Sequence, residues 1–120
     1  MDGFVLVVPK KNVAAYRKMA LEGKKAWKKF GALDYMECMG DDLKPNMGGM
    51  KGWSFPQMAK LKKGETVWFS FITFKSKKHR AQVNKKVMRE MEKQYGKHKD
   101  FSMPWDMKRM AYGGFKAIVQ

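Results

Sequence analysis

Two short stretches of this chain hold most of the side chains that chemistry would use. Residues 35–42, YMECMGDD, gather a phenol, a thiol and three carboxylates: Tyr35, Glu37, Cys38, Asp41 and Asp42. A thiol and paired carboxylates at such spacing can move protons or ligate a metal. A transition-metal set would also need partners at fixed intervals, and the two histidines, His79 and His98, fall far along the chain. No metal ion and no cofactor is therefore expected. Cys38 on a strand is more often a small buried hydrophobe than a nucleophile, because reactivity needs an exposed, electropositive setting. The carboxylates have the plainer alternative of turning the chain or pairing with nearby lysines.

Residues 103–114, MPWDMKRMAYGG, form the second stretch and the better one. Asp106 can orient Lys108 or Arg109, Arg109 can clamp a carboxylate or phosphate, and Trp105 can form an apolar wall, with Tyr112 closing the segment. The competing expectation is that Asp106 and Arg109 pair to brace a loop over a packed Trp105. From the two stretches the candidate ligand-binding residues are Tyr35, Cys38, Asp41, Asp42, Trp105, Asp106, Lys108, Arg109 and Tyr112. Neither histidine neighbours a serine or cysteine in a triad-like pattern. GGMKG, residues 48–52, is too generic for a phosphate loop. No catalytic residue can be named.

The elements that must position these residues follow from periodicity. GFVLVV, residues 3–8, is a short valine-rich run ending at Pro9 and reads as a strand. Asn12 is placed as an N-cap, and Val13, Tyr16, Ala20, Trp27 and Phe30 trace one face of a helix ending at Gly31, with Gly23 on the same stripe. Residues 33–39 read as a second strand and residues 66–74, TVWFSFITF, as a third. Between them, residues 40–64 show no sustained period, as functional or mobile loops often do. Ser76 offers the cap of a second helix through Val83, Val87, Met91 and Tyr95, with Asn84 on its apolar side in a core role. Residues 110–119 predict a last strand, with a bulge or a close backbone approach at Gly113 and Gly114.

Strand, helix, strand, strand, helix, strand is the split βαβ pattern of an α+β, ferredoxin-like βαββαβ sandwich spanning residues 1–120 as one domain. It predicts a four-stranded antiparallel sheet with two helices on one face, the first and third strands central. Both central strands are apolar on both faces, and helices can cover only one of them. A second copy packed against the open sheet face, hence a homodimer, is the expected partner. The chain carries 26 Lys and Arg against 11 Asp and Glu, a net charge of +15, which makes nucleic acid an alternative partner through the basic helix faces. The same excess also occurs as a solvated surface, and no recognition motif for nucleic acid is present. The single cysteine rules out an internal disulfide framework, and a reducing, cytoplasmic setting without a membrane span is expected.

In this order the stretches DGFVLVVPKKNVAAYRKMA, GALDYMECMGDDLKP, SFPQMAKLKKGETVWFSFITFKSKKHRAQVNKKVM and MPWDMKRMAYGGFKAIV resemble the YbaA-like family of small bacterial proteins of unknown function. The resemblance covers nearly the whole chain. It implies membership of the dimeric α/β-barrel superfamily, in which sheets of two ferredoxin-like subunits pair and a small-molecule pocket lies between sheet and helices. It brings no established chemistry. A homodimeric small-molecule-binding domain, with or without catalysis, whose pocket lies between the sheet, the second helix and the 40–64 loop, is the function expected, a nucleic-acid-binding module or a purely structural dimer the alternatives.

Overall fold

The computed structural model describes residues 1–44, 48–49, 52–95 and 103–120. His98 lies outside them, as do Met50 and Lys51 of the GGMKG segment. The chain runs through β1 (Asp2–Pro9), α1 (Val13–Lys29), β2 (Asp34–Met39), a short α2 (Phe55–Met58), β3 (Glu65–Thr73), α3 (Lys77–Tyr95) and β4 (Ala111–Gly114). The four strands form one antiparallel sheet in the order β2-β3-β1-β4, so the first and third strands are central as expected.

Side chains alternate across a strand, and the packing shows which set faces which layer. Leu6, Val8 and Trp68 pack with Tyr16 of α1, while Ile72 packs with Val83 and Val87 of α3. Both long helices therefore lie on one face. The intervening residues Val7 and Val67 meet Ala59, Leu43 and Leu61 on the other face. Val7, Val8, Val83 and Val87 are fully buried, each contributing roughly 1.5–3 kcal/mol of transfer free energy.

Leu43, Ala59 and Leu61 of the 40–64 segment thus cover one end of the second face, and the described part of that segment is not without structure. Ser54 caps α2 in a reciprocal arrangement with Gln57, and Pro56 occupies the first turn, where its missing N–H costs nothing. Because α2 and α3 lie on opposite faces, no single cavity can be bounded by both. The remainder of the second face stays open, with Phe69, Met36 and Phe55 exposed along it and Trp53 78% exposed.

Three local expectations change. Asn12 precedes α1 but makes no capping bond; its Nδ2 donates instead to the Pro104 carbonyl at 3.3 Å. The last strand stops at Gly114, and Gly113 and Gly114 pair in regular register with Gly3 and Asp2, so there is no bulge. The close approach at Gly114 is to a side chain, since a Cβ there would lie 3.2 Å from the Arg80 guanidinium carbon. Elsewhere Gly31, at φ +113°, ends α1 in a conformation that favours glycine. Ser76 Oγ accepts from the His79 N–H at 3.0 Å, as a helix cap should.

Candidate functional site: a carboxylate held by two phenols

The register aligns Glu37, Ser70, Phe4 and Tyr112 in one row across all four strands on the helix-facing side. Glu37, at the β2 end of this row, is the acceptor on which two hydroxyls converge. Its Oε2 accepts from the Tyr16 hydroxyl at 2.8 Å and its Oε1 from the Tyr35 hydroxyl at 2.9 Å. Ser70, buried beside it on β3, places its hydroxyl within bonding reach of Tyr16. Tyr16 comes from α1 and Tyr35 from β2, two residues before Glu37 and therefore on the same side of the strand.

Gly23 makes room for this arrangement. A Cβ at that position would stand 2.9 Å from the Tyr35 hydroxyl oxygen, so the missing side chain lets the phenol lodge against α1. Trp27, one turn on, packs on the Tyr35 ring at 5.9 Å and donates through Nε1 to Asn84 Oδ1 of α3 at 3.0 Å. Asn84 in turn donates to Asp2, which also pairs with Arg80. The chain of contacts ties both helices to the start of β1.

Burial pushes both phenols well above the ordinary tyrosine range, and the neighbouring Glu37 charge pushes them further. They remain donors at any physiological pH. Each Glu37 oxygen accepts one phenol hydroxyl, so the carboxylate positions Tyr16 and Tyr35, and its remaining lone pairs, like those of the hydroxyls, can still accept from a bound molecule. Trp105 stacks edge-on against Tyr16 at 5.9 Å. Its indole Nε1 is buried and has no hydrogen-bond partner among the described residues. A buried donor without an acceptor forfeits roughly 1–3 kcal/mol, so it marks a place where an acceptor belongs.

The nine candidate residues do not converge. Tyr35 joins the cluster and Trp105 borders it. Tyr112, 71% exposed at the sheet edge, stacks on Phe4 at 6.0 Å and extends the same row. Cys38 is exposed and, by alternation, lies on the opposite face, beside an apolar hollow of about 260 Å³ that Leu43, Phe55 and Phe69 help to line. Asp41 and Asp42 are exposed beyond the end of β2. Among the described residues no group of three His, Cys, Asp or Glu is placed to hold a metal ion, and no helix is long and apolar enough to cross a membrane.

Asp106 and Arg109 are committed to each other. Asp106 caps the short helical turn Met107–Arg109, accepting from the Lys108 N–H at 2.9 Å and from Arg109 Nε at 2.7 Å. Arg109 then grips Glu65 with both terminal nitrogens, at 2.8 and 2.5 Å, and donates to the Lys60 carbonyl at 2.9 Å. The fork fits a carboxylate, and here the carboxylate is the chain's own. The Arg109 hydrogen bond holds the Glu65 carboxyl down to about 2, and the same guanidinium keeps Asp106 below its usual range. Lys108 is exposed.

Two members of the cluster carried little sign of their role. Tyr16 sits on the apolar stripe of α1, where helical spacing makes it core, and Glu37 is one carboxylate among three in its stretch. Tyrosine on a buried stripe is the available signal, since a buried hydroxyl needs a partner.

The fold and its cluster define a small α+β sandwich domain, an open antiparallel sheet layered against two helices with a polar site between. Over residues 1–107 the sequence matches the family described as Protein of unknown function (DUF1428), and the chain belongs to that family. It is 39% identical over 120 residues, covering 99% of this chain and 96% of the relative, to the Uncharacterized protein YbaA of Escherichia coli strain K12. Identity and coverage are the same for the Uncharacterized protein YbaA of Shigella flexneri. The resemblance to the YbaA-like family is thereby borne out.

Proposed function

We propose that this chain is a small-molecule-binding subunit of ferredoxin-like topology, working as a homodimer of the dimeric α/β-barrel kind, and that its ligand sits between sheet and helices at the Tyr16–Glu37–Tyr35 cluster. The observation that carries this reading is the unpartnered Trp105 Nε1 beside Tyr16. A buried indole N–H with no acceptor among the described residues calls for an oxygen acceptor. A ligand bearing a carbonyl, carboxylate or hydroxyl oxygen supplies it, with Phe4 and Tyr112 forming the apolar side of the same row. The homodimer rests on the open second face, where Phe69, Met36 and Phe55 are exposed and a second copy would cover them.

The test is a thermal-shift panel of small oxygen-bearing compounds against the wild type, Trp105→Phe and Tyr35→Phe. Trp105→Phe keeps an aromatic ring and removes an N–H that holds no partner, so the ligand-free melting temperature should barely move. A compound that stabilises the wild type should lose most of its shift in both variants. No stabilising compound, or shifts equal in all three proteins, would sink the proposal.

A further inference from the structure

The two long helices lie side by side on the sheet, joined by Trp27 to Asn84 and by the Lys29–Glu90 ion pair at 3.3 Å. Their apolar sides are turned inward, so their outward sides form one continuous layer. That layer carries six exposed basic side chains on α1 and six on α3, and the exposed acids of the two helices are Glu22 and Glu92. Twelve of the chain's 26 Lys and Arg are thus gathered where three of its 11 acids stand, Glu22, Glu92 and the half-buried Glu90 that pairs with Lys29. Steps of seven return to the same side of a helix, which aligns Lys18 with Lys25 on α1 and Lys78 with Lys85 on α3. Lys28 and Lys29 are partly engaged, with the Leu33 carbonyl and with Glu90.

We infer that this basic layer docks duplex nucleic acid through its phosphates, without reading bases. Charge sets the sign of the partner, and the absence of other features narrows its class. Single strands are bound on stacking platforms, and over residues 13–29 and 77–94 no aromatic side chain is exposed. A membrane-surface helix inserts an apolar face, whereas these helices have turned theirs to the sheet and over residues 13–29 and 77–94 expose only Leu21 and Met88 as large apolar side chains. A duplex asks only for cations along its backbone. Helices of 17 and 19 residues reach about 25–28 Å, a length over which duplex DNA presents on the order of 15 phosphates, of which roughly half face one side. The charge and the dimensions of the layer match that array.

Fluorescence anisotropy of labelled duplexes of about 20 base pairs, DNA and RNA separately, with the full chain at about 50 to 200 mM salt, tests the inference. One variant removes four charges from the layer, Lys18→Gln, Lys25→Gln, Lys78→Gln and Lys85→Gln. A control removes four elsewhere, Lys44→Gln, Lys63→Gln, Lys108→Gln and Lys116→Gln. All eight lysines are exposed, so both variants should melt near the wild type. The layer variant should bind about tenfold or more weakly, with the log–log salt slope shallower by about 3 to 4, while the control should lose less than half as much. Equal losses in the two variants would reduce the effect to net charge and overturn the inference. So would tighter binding to single-stranded oligonucleotides or to anionic lipid vesicles at the same salt, or a wild-type Kd weaker than about 100 μM at physiological salt.

Discussion

Replacing Gly23 with alanine sets two effects of opposite sign against each other. In the interior of a helix alanine is favoured over glycine by about 1 kcal/mol, so on propensity alone Gly23→Ala should stabilise α1. The new Cβ, however, would lie 2.9 Å from the Tyr35 hydroxyl oxygen, well inside contact distance. That oxygen is not free to swing away, because Glu37 holds it at 2.9 Å and Trp27 packs on its ring. Overpacking of this kind costs about 1–3 kcal/mol, and a hydrogen bond to a charged group displaced in the process is worth about 1.5–3 kcal/mol. The net expectation is a loss of about 1–2 kcal/mol. In a Tyr35→Phe background the oxygen is gone, and the next ring atom stands 3.6 Å from the added carbon, an ordinary contact. There Gly23→Ala should stabilise by most of its propensity gain. Urea unfolding of the four proteins closes the double-mutant cycle, provided the m-value is constant. If Gly23→Ala stabilises the wild type and the Tyr35→Phe protein equally, the seating of the phenol against α1 is not what requires glycine.

The remaining predictions concern the brace and the open face. Since Arg109 depresses the Glu65 carboxyl to about 2 in the folded chain, the stability this pair contributes should be full above the ordinary glutamate value of 4.5 and drain away as the pH falls toward 2. Glu65→Gln should flatten that part of the stability–pH profile, and a profile unchanged by the substitution would show that the ion pair does not govern it. For the homodimer, sedimentation at micromolar concentration should find two chains, sharing roughly 1,600 Å² of buried surface, and Phe69→Lys on the open face should yield a folded monomer. A monomeric wild type at that concentration would remove the case for pairing.

Much of the scaffold could be read in advance because the strongest signals are local. Alternation and β-branched runs located the central strands, helical spacing located α1 and α3, and Ser76 marked the start of α3. The last strand was overestimated for a reason no local pattern carries. Residues 115–119 are again rich in apolar side chains, but past Phe115, whose N–H reaches the Met1 carbonyl at 2.6 Å, no strand among the described residues lies alongside them. Ile118 and Val119 are accordingly exposed. The candidate site was less legible because its members are joined across long separations. Tyr16 meets Glu37 from 21 residues away, and Arg109 finds Glu65 from 44. The loop pairing of Asp106 with Arg109 was within reach, being three residues apart; the capture of Arg109 by Glu65 and the Lys60 carbonyl was not.

The short β4 leaves β1 with a further obligation. β4 pairs with β1 only from Asp2 to Val5, so the rest of the strand, Leu6 to Pro9, would present a bare hydrogen-bonding edge of a valine-rich sequence, the kind of template on which another chain can add as a strand. The segment before β4 closes that edge. The Asp106 N–H donates to the Val7 carbonyl at 3.0 Å, Asn12 holds the Pro104 carbonyl one step earlier, and the Arg109 fork fastens the far end to the start of β3. Pro9, which has no N–H to offer, ends the strand without a free donor. The Asp106–Arg109–Glu65 brace thereby holds a segment over the edge on which another chain could add, and the same contacts use up the arginine's ligand-binding capacity.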